Sequence, residues 1–239
     1  MKRSTKTLTT TALATILTAS ALFSTPVFAA PAEAPVKLLT AHFEPRNVVQ
    51  VEAGDFHFLP GQVAPVHTHD APAVGYVAKG TIIYQVEGEK PRILSEGDAF
   101  FEPVGPRILR FDNASANEEA IFIDFNFEQE GEPFIVFETA PTEAIDRRSL
   151  STFDLKDGTF DQVDVYENKL ATSETVTLAG ENPTLGIVAQ GVVALSFDGG
   201  ATQRVTAGAS FAVPAGATDV RLVNVSADVP AKVITFVTH

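Results

Sequence analysis

Gly61-Gln62-Val63-Ala64-Pro65-Val66-His67-Thr68-His69, followed by Gly80, is the segment from which the rest of the chain can be read. Two histidines alternate with a threonine inside an apolar run, and in an extended strand that spacing puts both imidazoles on one face. A glycine then stands where the strand has to turn. Beyond this segment the pattern repeats. Gly75, Gly80, Gly88, Gly97 and Gly105 recur as Gly186, Gly191, Gly199, Gly208 and Gly216, each at the same interval of 111 residues. Val77-Ala78-Lys79-Gly80 aligns with Val188-Ala189-Gln190-Gly191. Phe100, Pro103 and Gly105 align with Phe211, Pro214 and Gly216. Arg110, Asn113, Ser115 and Ala116 match Arg221, Asn224, Ser226 and Ala227, and Phe125 falls on Phe236. An ungapped register sustained from Pro72 to Phe125 marks a duplicated structural unit.

Each unit reads as short strands broken by turns. Thr81-Ile82-Ile83-Tyr84-Gln85-Val86 is a β-branched run ending at Glu87-Gly88-Glu89, and Ala120 to Phe125 is a second apolar strand. In the other copy, Val192 to Phe197 runs into Asp198-Gly199-Gly200, a hairpin signal. Glycines at these turns admit positive φ, and Pro103 and Pro214 stiffen the approach to the next strand. Long helical periodicity is absent, although a short helical turn is expected near Thr142 to Arg148. Eighteen phenylalanines with no tryptophan and one methionine point to a β-rich core. The fold class is therefore all-β, with two double-sheet jelly-roll units in tandem. The expected organisation is a targeting segment over residues 1–30, barrel 1 over 31–135, a Pro- and charge-bearing connector over 136–150, and barrel 2 over 151–239.

The targeting segment reads as a cleaved bacterial signal peptide. Lys2, Arg3 and Lys6 form a basic n-region, a Thr/Ala/Leu-rich stretch runs from Leu8 to Phe23, and Val27-Phe28-Ala29 supplies a small-residue cleavage pattern. The apolar stretch is short, diluted by threonine and followed by Pro26, which disfavours a membrane anchor. The mature protein is expected in the periplasm or outside the cell, with no membrane span after cleavage. A formal net charge of −13, made more negative by loss of the basic n-region, argues against nucleic acid as a partner. There is no cysteine, so stability has to come from a packed core or from association.

The Gly61–Gly80 segment resembles the first signature of the cupin superfamily, G-x5-H-x-H-x3/4-E-x6-G, in which two histidines and a glutamate help hold a divalent metal inside a small β-barrel. The Gly97, Pro103, Gly105 framework resembles the second, G-x5-P-x-G-x2-H-x3-N. With its internal repeat the chain looks like a bicupin. The resemblance implies a possible divalent transition metal in barrel 1, held by His67 and His69. It also shows departures. Ala73 stands where the glutamate is expected, and the second-signature histidine falls on Ile108 or Leu109 depending on the anchor. In the other unit Leu178 and Gly180 stand opposite His67 and His69, and Asp219 or Val220 at the later ligand position, so barrel 2 reads as degenerate.

Stable transition-metal sites use three or four protein ligands, so two histidines need help from elsewhere. His57, in the strand-like Phe56-His57-Phe58-Leu59, is a candidate third imidazole. Asp70 and Glu102 are the nearest plausible carboxylates, Asp70 aimed to the opposite side and Glu102 in a segment where a solvated or hydrogen-bonded role is commoner. Tyr76 and Tyr84 could add an oxygen. His42 and His239 are read as surface residues. The expected pocket combines His57, His67 and His69 with the apolar replacements Ala73, Ile108 and Leu109, a lining suited to a small organic ligand needing few polar contacts. Two functions follow. One is an exported binding protein that takes a small molecule in barrel 1 with little or no metal-dependent catalysis. The other is a metal-dependent oxygenase, isomerase or lyase using His67, His69 and a further ligand. Nothing groups Ser, His and acid into a triad, and there is no phosphate loop or dinucleotide fingerprint. The resemblance further implies pairing of barrels through their sheets, as a homodimer or as a pseudo-dimer within one chain.

Overall fold

The computed structural model describes residues 33–239, the side chains of residues 156–157 excepted; the expected signal peptide lies outside the described residues. Every regular element among them is a strand. The first barrel contains β1 (Val36–Phe58), β2 (His67–Thr68), β3 (Ala73–Lys79), β4 (Thr81–Val86), β5 (Arg92–Ser95), β6 (Ala99–Glu102), β7 (Ile108–Asn113) and β8 (Ala120–Glu128). Then come β9 (Val136–Phe137) and β10 (Asp146–Ser149). The second barrel contains β11 (Phe153–Leu170), β12 (Thr175–Thr177), β13 (Thr184–Gln190), β14 (Val192–Ser196), β15 (Gln203–Thr206), β16 (Ser210–Val213), β17 (Arg221–Asn224) and β18 (Ala231–Thr238). The helical turn expected near Thr142 to Arg148 is absent: Asp146–Ser149 is extended and pairs with Gly54–His57 of β1. Residues after β8 therefore build on barrel 1, since β9 also pairs with β2.

One nine-stranded sheet runs through both barrels in the order β16-β13-β18-β11-β1-β8-β3-β6, with β10 beside β1. Smaller sheets, β5-β4-β7-β2-β9 and β12-β17-β14-β15, close the two barrels. The seam is made by β1 and β11, each long enough to serve two partners. The end of β1 pairs with β8, while most of its length pairs antiparallel with β11. Pro45, which cannot donate to a ladder, sits in the register shift between His42 and Arg46.

Burial patterns follow from this arrangement. Strand β4 alternates between buried and half-buried residues because one face meets a barrel interior. Strands β3 and β13 are buried on both faces over their first five residues. Their second face feeds a third core between the barrels. There Val74, Tyr76, Ile123 and Phe125 meet their repeat counterparts Leu185, Ile187, Ile234 and Phe236. Phe125 and Phe236 touch with ring centroids 4.5 Å apart. The duplicated positions thus pack against one another about a local twofold relation.

Two details repeat in both copies. Asn113 Nδ2 donates to the carbonyls of Phe58, Leu59 and Glu118, and Asn224 Nδ2 donates to those of Leu170, Ala171 and Val229. Each buried amide ties a strand end to the turn before the last strand. Gly75 and Gly186 have ordinary strand backbone, but an added Cβ would lie 2.1 Å from Phe100 and 2.2 Å from Phe211 respectively. Those glycines exist for close approach of a ring, whereas Gly80 and Gly191 have φ of 78° and 77° and serve the turns.

The seam carries a titratable anchor. Asp164, 4% exposed on β11, accepts from Thr40 Oγ1 at 2.5 Å and lies 2.9 Å from Lys37 Nζ. Burial opposes its charge, but the Thr40 hydroxyl and Lys37 outweigh it and lower its pKa below the usual carboxylate value. A depressed folded pKa contributes stability that is complete above the unfolded value, about 4, and is lost as pH falls through the lower folded one. Asp164→Asn should therefore lower the melting temperature at neutral pH and flatten the acid limb below about pH 4, so that the two proteins converge at the acid end. Parallel acid limbs in the two proteins would remove Asp164 as the anchor.

Candidate metal centre

His67 is held between Ile108 of β7 and Phe137 of β9, and His69 bridges to Val104. Their alternate spacing turns both rings inward, 4% and 1% exposed, with centroids 5.3 Å apart and planes at 77°. The third member arrives from β6. Glu102, 3% exposed, places Oε1 3.7 Å from His67 Nε2 and Oε2 3.2 Å from His69 Nε2. One ligand atom from each of the three residues lies within 4.8 Å of the others. Of the roles expected for Glu102, the solvated one is excluded: the carboxylate is buried against both imidazoles.

The register explains how it gets there. Ala73 on β3 is the cross-strand partner of Glu102 on β6 and of Asn126 on β8. Directly opposed residues project from the same face of a sheet, roughly 5 Å apart at Cβ. The carboxylate missing from position 73 is supplied one strand over, into the same space. A sequence signal existed, since Glu102 shares strand parity with the inward-facing Phe100, but the β3–β6 register was needed to use it.

Hydrogen bonding prepares the donors. His67 Nδ1 lies 2.8 Å from the Pro65 carbonyl, which can only accept, so that nitrogen carries the proton and Nε2 keeps its lone pair for the centre. His69 Nε2 and Glu102 Oε1 are buried without a hydrogen-bond partner, as is Asp124 Oδ1 beside them. Buried polar atoms are ordinarily satisfied, so orphaned donor atoms converging on one point fit an ion there. Charges are mutually adjusted. Burial raises the Glu102 carboxyl, but the two imidazoles overcome it and hold its pKa down at about 2. Burial disfavours charge on His69, and Glu102 and Asp124 reverse that, raising its pKa. Asp124, on β8, is pushed up to about 7 by burial and by the Glu102 charge.

The cavity around these groups is small and greasy, about 30 Å³. Phe56, Phe58, Phe111 and Phe122 wall one side. Phe134, Ile135, Phe137 and Ile145, all after β8, wall the other. Asn126 donates to the Phe134 carbonyl, and the Arg147 guanidinium lies 3.8 Å above the Phe134 ring. This segment contributes to the apolar lining and the core of barrel 1.

The remaining expected pocket residues lie elsewhere. His57 points away from Phe56 and Phe58 on β1, its Nδ1 3.0 Å from Glu119 and its Nε2 3.3 Å from Asp55, so it is corrected to a half-buried partner of two carboxylates outside the cavity. Ile108 is buried in the barrel core beside His67, and Ala73 is buried on β3; neither is among the cavity walls. Leu109 follows Ile108 on β7, only half-buried and also outside the walls. Tyr84 gives its hydroxyl to the Phe101 carbonyl, and Tyr76 belongs to the core between the barrels.

A family model described as "Cupin domain" matches residues 47–126, the span that contains His67, His69 and Glu102. No curated protein matches the sequence. Among solved structures, AerE from Microcystis aeruginosa superposes with a TM-score of 0.59 at 13% identity, over 86% of this chain and 98% of that one. Salicylate 1,2-dioxygenase from Pseudaminobacter salicylatoxidans gives 0.54 at 15%, over 80% of this chain and 71% of that one. Vicilin from Corylus avellana (hazelnut) gives 0.57 at 13%, over 82% and 83%. At such identities the likeness is one of fold. Residues 47–126 match the cupin-domain model, and the chain folds as two jelly-roll barrels in tandem.

Proposed function

We propose that this is an exported cupin protein whose first barrel binds a divalent transition metal through His67 Nε2, His69 Nε2 and the Glu102 carboxylate, and offers the open side of that centre to a very small ligand. The convergence of unpartnered His69 Nε2 and Glu102 Oε1 inside an apolar cavity carries the reading. Two imidazoles and one carboxylate are the donor set of non-haem iron(II) oxygenases, and such an ion supplies Lewis-acid or redox chemistry at its open positions. The chain's own residues do the rest. The phenylalanine walls exclude bulk water, and Pro65 orients the His67 ring. Asp124, with its pKa raised to about 7, can take up or release a proton beside Glu102. Residues 1–30, with their basic and apolar regions, support export.

A second reading is a binding barrel without turnover, and the cavity volume favours it. About 30 Å³ accommodates one or two water-sized species, and anything larger requires the segment from Phe134 to Ile145 to move. Metal analysis of protein purified without added metal tests the shared premise. Near-stoichiometric iron, manganese, zinc, nickel or copper is expected, and its loss in the folded His67→Ala/His69→Ala protein. Absence of metal, with no rise in melting temperature on adding any of these ions, would sink the proposal, because an ion that binds only the native state must stabilise it. Oxygen consumption with candidate substrates then separates turnover from binding.

A further inference from the structure

Barrel 2 carries a larger cavity, about 270 Å³ and open to solvent at its rim, at the place that corresponds to the metal centre. Along the repeat, Leu178 stands for His67, Thr184 for Ala73, Thr235 for Asp124 and Val213 for Glu102. Both imidazoles and both carboxylates are gone. In their place are neutral hydrogen-bonding groups that line the cavity floor: Asn168, Thr184 and Thr235, between 1% and 2% exposed.

Asn168 is the telling residue. Its Nδ2 donates to the Val233 carbonyl at 3.3 Å and to Thr235 Oγ1 at 3.1 Å. Since the Val233 carbonyl can only accept, the amide orientation is settled, and Oδ1 is the free end. That Oδ1 is buried without a partner. A buried amide oxygen left unsatisfied costs on the order of 1–3 kcal/mol, a penalty a ligand donor would relieve. Thr184 Oγ1 donates to the Asn182 carbonyl at 3.3 Å and keeps a lone pair with which to accept, whereas Thr235 Oγ1 accepts from Asn168 and keeps its proton to donate. The Tyr166 ring and Leu178 add apolar wall, and Glu181 and His239 complete the lining as exposed side chains.

We infer that barrel 2 is a binding site for a neutral, hydroxyl-rich molecule of monosaccharide size, one hydroxyl of which donates to Asn168 Oδ1. A hydroxyl matches a floor that needs a donor at Asn168 and offers both functions at the threonines. Carbon–hydrogen faces match Tyr166 and Leu178. A charged ligand would find no buried counter-charge among these floor residues. The site is independent of the metal reading for barrel 1.

The test is isothermal titration of the purified protein with D-glucose, D-galactose, D-ribose and myo-inositol, beside the charged solutes glutamate and arginine. At least one of the hydroxylated probes is expected to bind saturably, with Kd at or below about 1 mM. Thr235→Val should weaken it about tenfold. Because Thr235 also bonds Asn168, a second variant guards against misfolding: Ala179→Phe, at the exposed rim, should close the cavity and abolish binding while leaving the melting temperature unchanged. His67→Ala/His69→Ala should bind the same probe as tightly as the parent, so failure of the metal reading would not touch this one. No saturable binding of any hydroxylated probe, binding confined to glutamate or arginine, or binding indifferent to both cavity variants would overturn the inference.

Discussion

Combining Ala73→Glu with Glu102→Ala in one chain is expected to restore metal that Glu102→Ala alone removes. Positions 73 and 102 are direct cross-strand partners, and a carboxylate on either strand projects toward His67 and His69. Glu102→Ala leaves two imidazoles, too few for a stable site, and metal affinity should fall by at least ~100-fold. It also removes the anion that raises the His69 pKa, so what affinity remains should depend less on pH. Ala73→Glu by itself brings a second carboxylate into a fully buried position beside the first. Two carboxylates sharing a site resist joint ionisation, so that single variant should be destabilised relative to the swap. Metal content by mass spectrometry, with melting temperatures for all four proteins, decides the matter. If the swap folds as well as the parent yet holds no metal, the equivalence of the two strand positions is wrong.

The second large effect concerns the seam. Phe125→Ala should cost about 3–5 kcal/mol, read as a fall in the urea midpoint, because a fully buried ring is lost from a core that cannot collapse freely. Phe236→Ala should cost a similar amount. The rings touch, so the double variant should be less destabilised than the sum of the two, by roughly 0.5–3 kcal/mol. Strict additivity would mean that the contact between the two rings contributes nothing to holding the barrels together. Coupling would show that it does, and coincident unfolding transitions by different probes would show one cooperative unit. The Asp164 anchor on the same seam predicts that this unit is also the acid-sensitive one.

Much of this architecture is written in local chemistry. Gly80 and Gly191 need positive φ, Asn113 and Asn224 need carbonyls converging on their amide nitrogens, and Phe100 and Phe211 need a neighbour without a Cβ. Requirements of that kind leave fixed residues at a fixed interval, which is why duplication, strand content and jelly-roll class could be read without coordinates. The inward pair His67 and His69 was legible for the same reason, since parity along one strand is a local property. Which side chains face each other across strands is not local. Glu102 became a member of the centre through the β3–β6 register, and His57 left it because β1 turns Phe56 and Phe58 inward instead. The shared sheet through β1 and β11, the wall built by residues after β8, and the neutral cavity of barrel 2 likewise depend on pairings between residues far apart in the chain. A linear pattern records what each strand demands of its own backbone; only the folded barrel decides which demands meet.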